Sequence, residues 1–132
     1  MSAELDNLVR TGLLHHEPSS ASEVDGLIAS GLARLHDAQN TSLALESRFD
    51  LAYNAAHALA LAALRRAGYR TDKRYVVFQV LGLTLGVAAS TWRVLAKAHA
   101  VRNQAEYEGT IAADESLVRD TIAAATAVRL AL

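Results

Sequence analysis

The chain has 132 residues, 52% of them hydrophobic and 20% charged, with a formal net charge of −1 and no cysteine. That length is one domain, residues 1–132, with enough chain to bury a core. The near-neutral balance excludes a surface coated in basic charge for nucleic acid, so any such contact is local, and the missing cysteine removes disulfides, thiolate metal sites and thiol nucleophiles together. Absence of cysteine suits the cytoplasm, and the charges within MSAELDNLVR leave no apolar segment for a secretory signal.

In chain order, Leu5, Leu8, Val9 and Leu13 predict a short amphipathic helix ending near Gly12, ahead of His15-His16-Glu17-Pro18. Ser20-x-x-Glu23 has the form of a capping box. Val24, Leu27, Ile28, Gly31, Leu32 and Leu35 then recur at helical spacing to about Ala38, and Asn40 and Thr41 punctuate. The stretch from Thr41 to Arg70 organises the rest. It holds no Gly or Pro before Gly68, and most of its residues are the strong helix formers Ala, Leu and Arg. Apolar residues lie nearly all the way round it, as expected of a helix buried on several sides. Gly68, just past Arg65 and Arg66, stands where a C-terminal glycine cap belongs.

Thr71-Asp72 is placed to cap a further helix with Tyr75, Phe78, Leu81 and Leu85 on one face, broken at Gly86. Tyr75 to Trp92 runs 18 residues without a charge, near the lower limit for spanning a bilayer. The glycines and polar residues within it (Gln79, Gly82, Thr84, Gly86, Ser90, Thr91) instead predict a buried helix plus a turn, and no membrane association. A long helix is expected from about Ala88 to Glu108, stopping at Gly109. Val94, Leu95, Ala98, Val101 and Ala105 form its core face, and Arg93, Lys97, Gln104 and Glu108 face water. Asp114 and Glu115 open a last helix with Leu117, Val118, Thr121, Ala125, Val128 and Leu132 inward. Six helical segments without strand alternation define an all-α fold, an up-and-down bundle of five to six helices. Val76-Val77 alone suggests a strand, and such a strand has no partner elsewhere.

The sequence contains no Gly-rich phosphate loop, Gly-x-Ser-x-Gly elbow, His-x-x-x-His or His-Glu-x-x-His, so neither a metal nor a cofactor is expected. His15, His16 and Glu17 read as exposed loop residues, and His36 as an outer-face one. Two polar rows carry more information. Asp50, Asn54 and His57, at spacings of four and three, share one face of the central helix; His99, Arg102, Asn103 and Glu106 share one face of the later long helix, with Tyr107 beside Gly109. A guanidinium offers fixed donors suited to phosphate, and an imidazole exchanges protons near neutral pH. If the two helices are antiparallel neighbours, an Asp50–Arg102 or Glu106–His57 pair would close a small polar pocket for a ligand or a dimer partner. The competing accounts are a buried network that fixes helix register and an Arg102–Glu106 pair on a solvated face.

Ser47 to Tyr69, SRFDLAYNAAHALALAALRRAGY, followed by Ala98 to Gly109, AHAVRNQAEYEG, resembles the HEPN family of prokaryotic helical domains. The similarity covers Leu43 to Gly109, about half of the chain, and the flanking helices fit only in number. The resemblance implies a helical bundle that commonly dimerises, with a polar cleft between protomers. Many members are ribonucleases of toxin–antitoxin, defence and CRISPR-associated systems, with an Arg, a following polar residue and a His four to six positions beyond. Others are inactive partners or substrate-binding subunits of small nucleotidyltransferases.

Arg102 matches the motif's Arg and Asn103 the polar residue after it. The motif's His has no counterpart: Tyr107 stands five residues on, and a phenol of pKa near ~10 is a poor general base at neutral pH. The expectation is therefore a non-catalytic or weakly catalytic module that binds a nucleotide, RNA or a partner nucleotidyltransferase around Arg102 and Asn103, as a homodimer. The alternative is a metal-independent endoribonuclease of a toxin–antitoxin or defence system, using Arg102 and Asn103 with His99 or Tyr107.

Overall fold

The computed structural model describes residues 3–132, and the fold is all-α. Its elements are α1 (Ala3–Arg10), β1 (His15–His16), α2 (Ala21–Ala38), α3 (Leu45–Arg66), β2 (Tyr69–Arg70), α4 (Arg74–Gln79), α5 (Leu81–Thr84), α6 (Ala89–Glu108) and α7 (Glu115–Ala131). The 22-residue α3 is the axis. Twelve of its residues are buried, so it has no true outer face, and α2, α4, α6 and α7 all pack on it. Its many alanines let these neighbours approach closely while Phe49, Tyr53, Leu59 and Leu64, all fully buried, fill the spaces between them.

The closest approach is between α2 and α3. Gly31 of α2 sits against Leu59, where a Cβ would stand 2.7 Å from Leu59 Cγ and 3.2 Å from the Ala55 carbonyl oxygen. Ser20 caps α2, its hydroxyl accepting the Glu23 amide at 3.1 Å, and Asp114 caps α7 through the Leu117 amide at 2.7 Å. Gly68 (φ +91) and Gly109 (φ +78) take the left-handed conformation that ends α3 and α6.

Four expectations change. The described residues form seven helices rather than six, because the expected fourth helix is divided at Val80 into α4 and α5; Gly86 (φ +70) follows α5, where the break is expected. Val76 and Val77 are helical and buried, as the missing strand partner predicts, whereas Tyr75 is 41% exposed rather than inward. Thr71-Asp72 does not cap α4. Its N-cap is Lys73, and the Thr71 hydroxyl, two positions earlier, accepts from the Lys73 amide at 3.2 Å rather than from the first turn of the helix. His15 and His16 are exposed as expected but pair antiparallel with Arg70 and Tyr69 rather than lying in a loop. Among the described residues no helix is long and apolar enough to cross a membrane.

This small ladder is locked by Arg65. Adjacent arginines at a helix end predict two exposed cations, yet Arg66 is exposed and Arg65 is 6% exposed. Its Nε meets Glu23 at 2.7 Å, its Nη2 meets Glu17 at 3.0 Å, and it donates to the carbonyls of Glu17, Pro18 and Tyr69 at 3.0 to 3.1 Å. Every donor of a buried guanidinium is thereby used, and its hydrogen bond holds Glu23 below the usual carboxylate range. No buried side-chain polar atom among the described residues lacks a partner.

Candidate functional site

The two polar rows do meet, through a residue belonging to neither. Phe49, Tyr53 and His57 recur every four residues along α3, on the side facing α4 and α6. Tyr53 is fully buried, and its hydroxyl lies 3.0 Å from His99 Nδ1 on α6. The other ring nitrogen, Nε2, lies 3.1 Å from the Asn103 amide one turn on. Phe78 of α4 forms the floor, edge-on to Tyr53 at 5.8 Å and to His57 at 5.9 Å. Tyr75 tilts over His99 at 5.9 Å from the outer side.

Two guanidiniums converge on this aromatic centre. Arg102 lies 5.2 Å and Arg74 lies 5.9 Å from the Tyr53 ring centroid, within cation–π range. Arg74 donates to Asn54 Oδ1 at 3.2 Å, and Asn54 in turn donates to the Asp50 carbonyl at 2.9 Å. Arg102 meets Glu106 at 3.6 Å along its own helix. Both cations act on each of the groups between them. Burial first, then Arg74 and Arg102, pushes His57 down to about 4, and the same causes, with Arg102 ahead of Arg74, lower His99. Burial raises the Tyr53 phenol, although both arginines oppose the rise. At neutral pH the site therefore holds two neutral imidazoles, a neutral phenol and two fixed positive charges.

The hydrogen bonds constrain the ring. If Asn103 donates to Nε2, the imidazole proton sits on Nδ1 and points at the phenol oxygen. Turning the exposed Asn103 amide over reverses both bonds, and Tyr53, a weak acid here, then donates to Nδ1. Either nitrogen can thus carry the proton with both bonds kept.

His99, Arg102, Asn103, Asn54 and His57 are thus brought together as expected, but their pairings differ. The expected Asp50–Arg102 and Glu106–His57 pairs are replaced: Asp50 is exposed and offers only its backbone carbonyl, Glu106 takes Arg102, and His57 packs on Phe78. Tyr107 is 89% exposed and joins none of the cluster's hydrogen bonds. Tyr53, Arg74, Tyr75 and Phe78 were not anticipated as site residues. The four-residue aromatic spacing on α3 carried the signal for Tyr53, whereas nothing local marks Arg74. On its other side Arg102 borders a cavity of about 200 Å³ with Glu46, Ala105, Gly109 and Ile111. That volume is too small for a drug-sized ligand. Among the described residues no three His, Asp or Glu side chains converge as metal ligands would.

Fold and site together describe a helical bundle carrying a half-exposed arginine–aromatic–imidazole cluster. Compared with known proteins, the chain matches no family model, no curated protein and no solved structure.

Proposed function

We propose that this chain is a HEPN-like helical module that holds a phosphate-bearing ligand, nucleotide or RNA, at Arg102 and Asn103. In this reading it acts as a homodimer or beside a small nucleotidyltransferase and cleaves RNA weakly or not at all. The observation that carries it is the placement of Arg102. An arginine serving only a surface helix pair would extend into solvent, whereas this one is held over a buried tyrosine beside His99 and Asn103, with Glu106 at a loose 3.6 Å. A charge in that position, only partly neutralised, favours an anion. The exposed Tyr107 supplies no base where the family's ribonucleases have one.

A metal-independent endoribonuclease is the second reading, favoured by one feature: His99 is neutral near pH 7, adjoins Arg102 and keeps a proton route to Tyr53. One experiment separates the two. Wild type and Arg102→Ala are incubated with total RNA without added metal, and retention of labelled RNA and nucleotides is measured in parallel. Arg102-dependent retention without cleavage supports the binding module. Arg102-dependent cleavage supports the nuclease, and identical behaviour of the two proteins in both assays removes the site.

A further inference from the structure

The chain provides its own comparison for what a structural arginine looks like. Arg65 has two carboxylates at 2.7 and 3.0 Å and three backbone carbonyls, so every donor is satisfied from within the fold. Arg74 is also partly buried, yet the acceptors it reaches are neutral, the amide oxygen of Asn54 at 3.2 Å and the Tyr53 hydroxyl, and no carboxylate among the described residues pairs with it. Arg102 has one carboxylate, at 3.6 Å. Two like charges directed at one aromatic ring repel, and the ring's π-face is modest compensation. A group of opposite charge between them would remove that cost and take up their free N–H donors.

The surroundings limit what such a group belongs to. Asp50 is exposed one turn before Asn54, and Glu106 is exposed one turn beyond Arg102. A polynucleotide crossing the cluster would run its next phosphates past these carboxylates, and a chain of net charge −1 has no overall basic excess to offset them. A single phosphate avoids both. Beside Arg74 on the same short helix, Tyr75 leaves 41% of its surface open while its ring tilts against His99, so an aromatic surface is exposed next to the cluster. Aromatic side chains placed in this way stack nucleobases.

We infer that Arg74 and Arg102 form a two-arginine clamp for the phosphate of a mononucleotide, with Tyr75 as the stacking surface for its base. The inference rests on the phosphate-binding reading above and narrows it from nucleotide or RNA to a mononucleotide. It adds two residues, Arg74 and Tyr75, to the site. Arg74 supplies guanidinium donors from α4 and Arg102 from α6, the two lying 5.9 and 5.2 Å from the same Tyr53 ring, so a ligand held by both joins the two helices.

The test titrates the full chain calorimetrically with AMP, ribose 5-phosphate, inorganic phosphate and a short single-stranded RNA, for wild type, Arg74→Ala, Arg74→Lys, Tyr75→Ala and Arg102→Ala. Circular dichroism and thermal melting verify that each variant is folded. AMP is expected to bind more tightly than the other three. Tyr75→Ala should weaken AMP roughly tenfold and leave ribose 5-phosphate unchanged, as expected for the loss of one base stack. Arg74→Ala should weaken every phosphate probe at least as strongly, with partial rescue by Lys because the charge returns without the fork. Tyr75→Ala, altering an exposed side chain, keeps the test decisive should Arg74→Ala not fold. Binding that depends on Arg102 but ignores Arg74 and Tyr75, or RNA binding tighter than AMP, overturns the mononucleotide clamp while leaving the phosphate reading standing. No binding of any probe to the wild type overturns both.

Discussion

The Tyr53 hydroxyl and Nδ1 of His99 are 3.0 Å apart, and this one bond ties the axial helix α3 to the site helix α6. Because Tyr53 is fully buried, its oxygen has no water to turn to, and His99 is held in a fixed orientation on the inner side of α6. Tyr53→Phe keeps the ring beneath both guanidiniums and removes the hydroxyl, with its bonds to His99 and Arg74. The expected cost is about 1 kcal/mol in a urea unfolding series. In the same variant the His99 imidazole signals should broaden or shift by NMR, since Asn103 is then the one hydrogen-bond partner shown for the ring. An unchanged midpoint and unchanged imidazole signals would show that the bond contributes nothing.

His57 predicts the acid side of the stability curve. Burial, with Arg74, Arg102 and His99 adding to it, brings its pKa to about 4 from an ordinary 6.5. The folded chain therefore leaves His57 neutral at pH 5, while the unfolded chain protonates it. The unfolded state binds the extra proton, so stability falls as pH drops through 6.5 and levels off below about 4. The full drop is up to about 3 kcal/mol at ~1.4 kcal/mol per pKa unit, less whatever solvent reaches the half-buried ring. His57→Leu removes this contribution and leaves those of the carboxylates. The difference in unfolding free energy between wild type and His57→Leu should change over that window, and a difference constant from pH 7 to 4 would mean that the folded state accepts the proton.

The fold was legible where local chemistry decides it. Ser20, Asp114 and Gly109 are terminus signals whose partners lie within four residues, and α6 begins one residue from its expected start and ends where expected. The seam between α3 and α6 was legible as two polar rows, because three- and four-residue spacing places side chains on one face. What sits across the seam was not. Arg65 and Arg66 are identical neighbours in sequence, and only the arrival of Glu17, Pro18 and Glu23 from a distant segment draws one of them inward. Arg74 likewise follows a charged turn that reads as exposed, and reaches Tyr53 because α4 docks against α3. Tyr53 lies among the apolar residues of α3, and nothing in that pattern marks its hydroxyl as a partner of His99.

Two glycines of α2 predict opposite responses to the same substitution. Gly26 is exposed, and a methyl there meets nothing within 4 Å, so Gly26→Ala should stabilise by about 0.5–1 kcal/mol through helix propensity. At Gly31 the methyl would stand 2.7 Å from Leu59 Cγ, a fully buried side chain with the Ala55 carbonyl behind it. The same propensity gain is then outweighed by an overpacking cost of about 1–3 kcal/mol, and Gly31→Ala should destabilise. Thermal melts of the two variants should move in opposite directions; a rise for Gly31→Ala would mean that α2 can slide away from α3 at little cost.

The strongest stability effect is expected at Arg65. Its side chain joins Glu23 of α2, Glu17 and Pro18 of the preceding loop and the Tyr69 carbonyl of β2 to the end of α3. Arg65→Met preserves much of the stem's packing but leaves three carbonyls and two carboxylates short of a donor. Removing the guanidinium costs about 2–3 kcal/mol, mostly as the penalty on the carbonyls left behind, because Glu17 and Glu23 are nearly half exposed and regain water. Arg65→Lys restores the charge, but an ammonium cannot reach five acceptors spread over a planar fork, so it should recover less than half of the loss. Arg66→Met, one residue on and exposed, should lie within about 0.5 kcal/mol of wild type. Denaturant midpoints for the three variants decide the matter. Near-equal losses for Arg65→Met and Arg66→Met would mean that helix-end charge, rather than the network, is what Arg65 contributes.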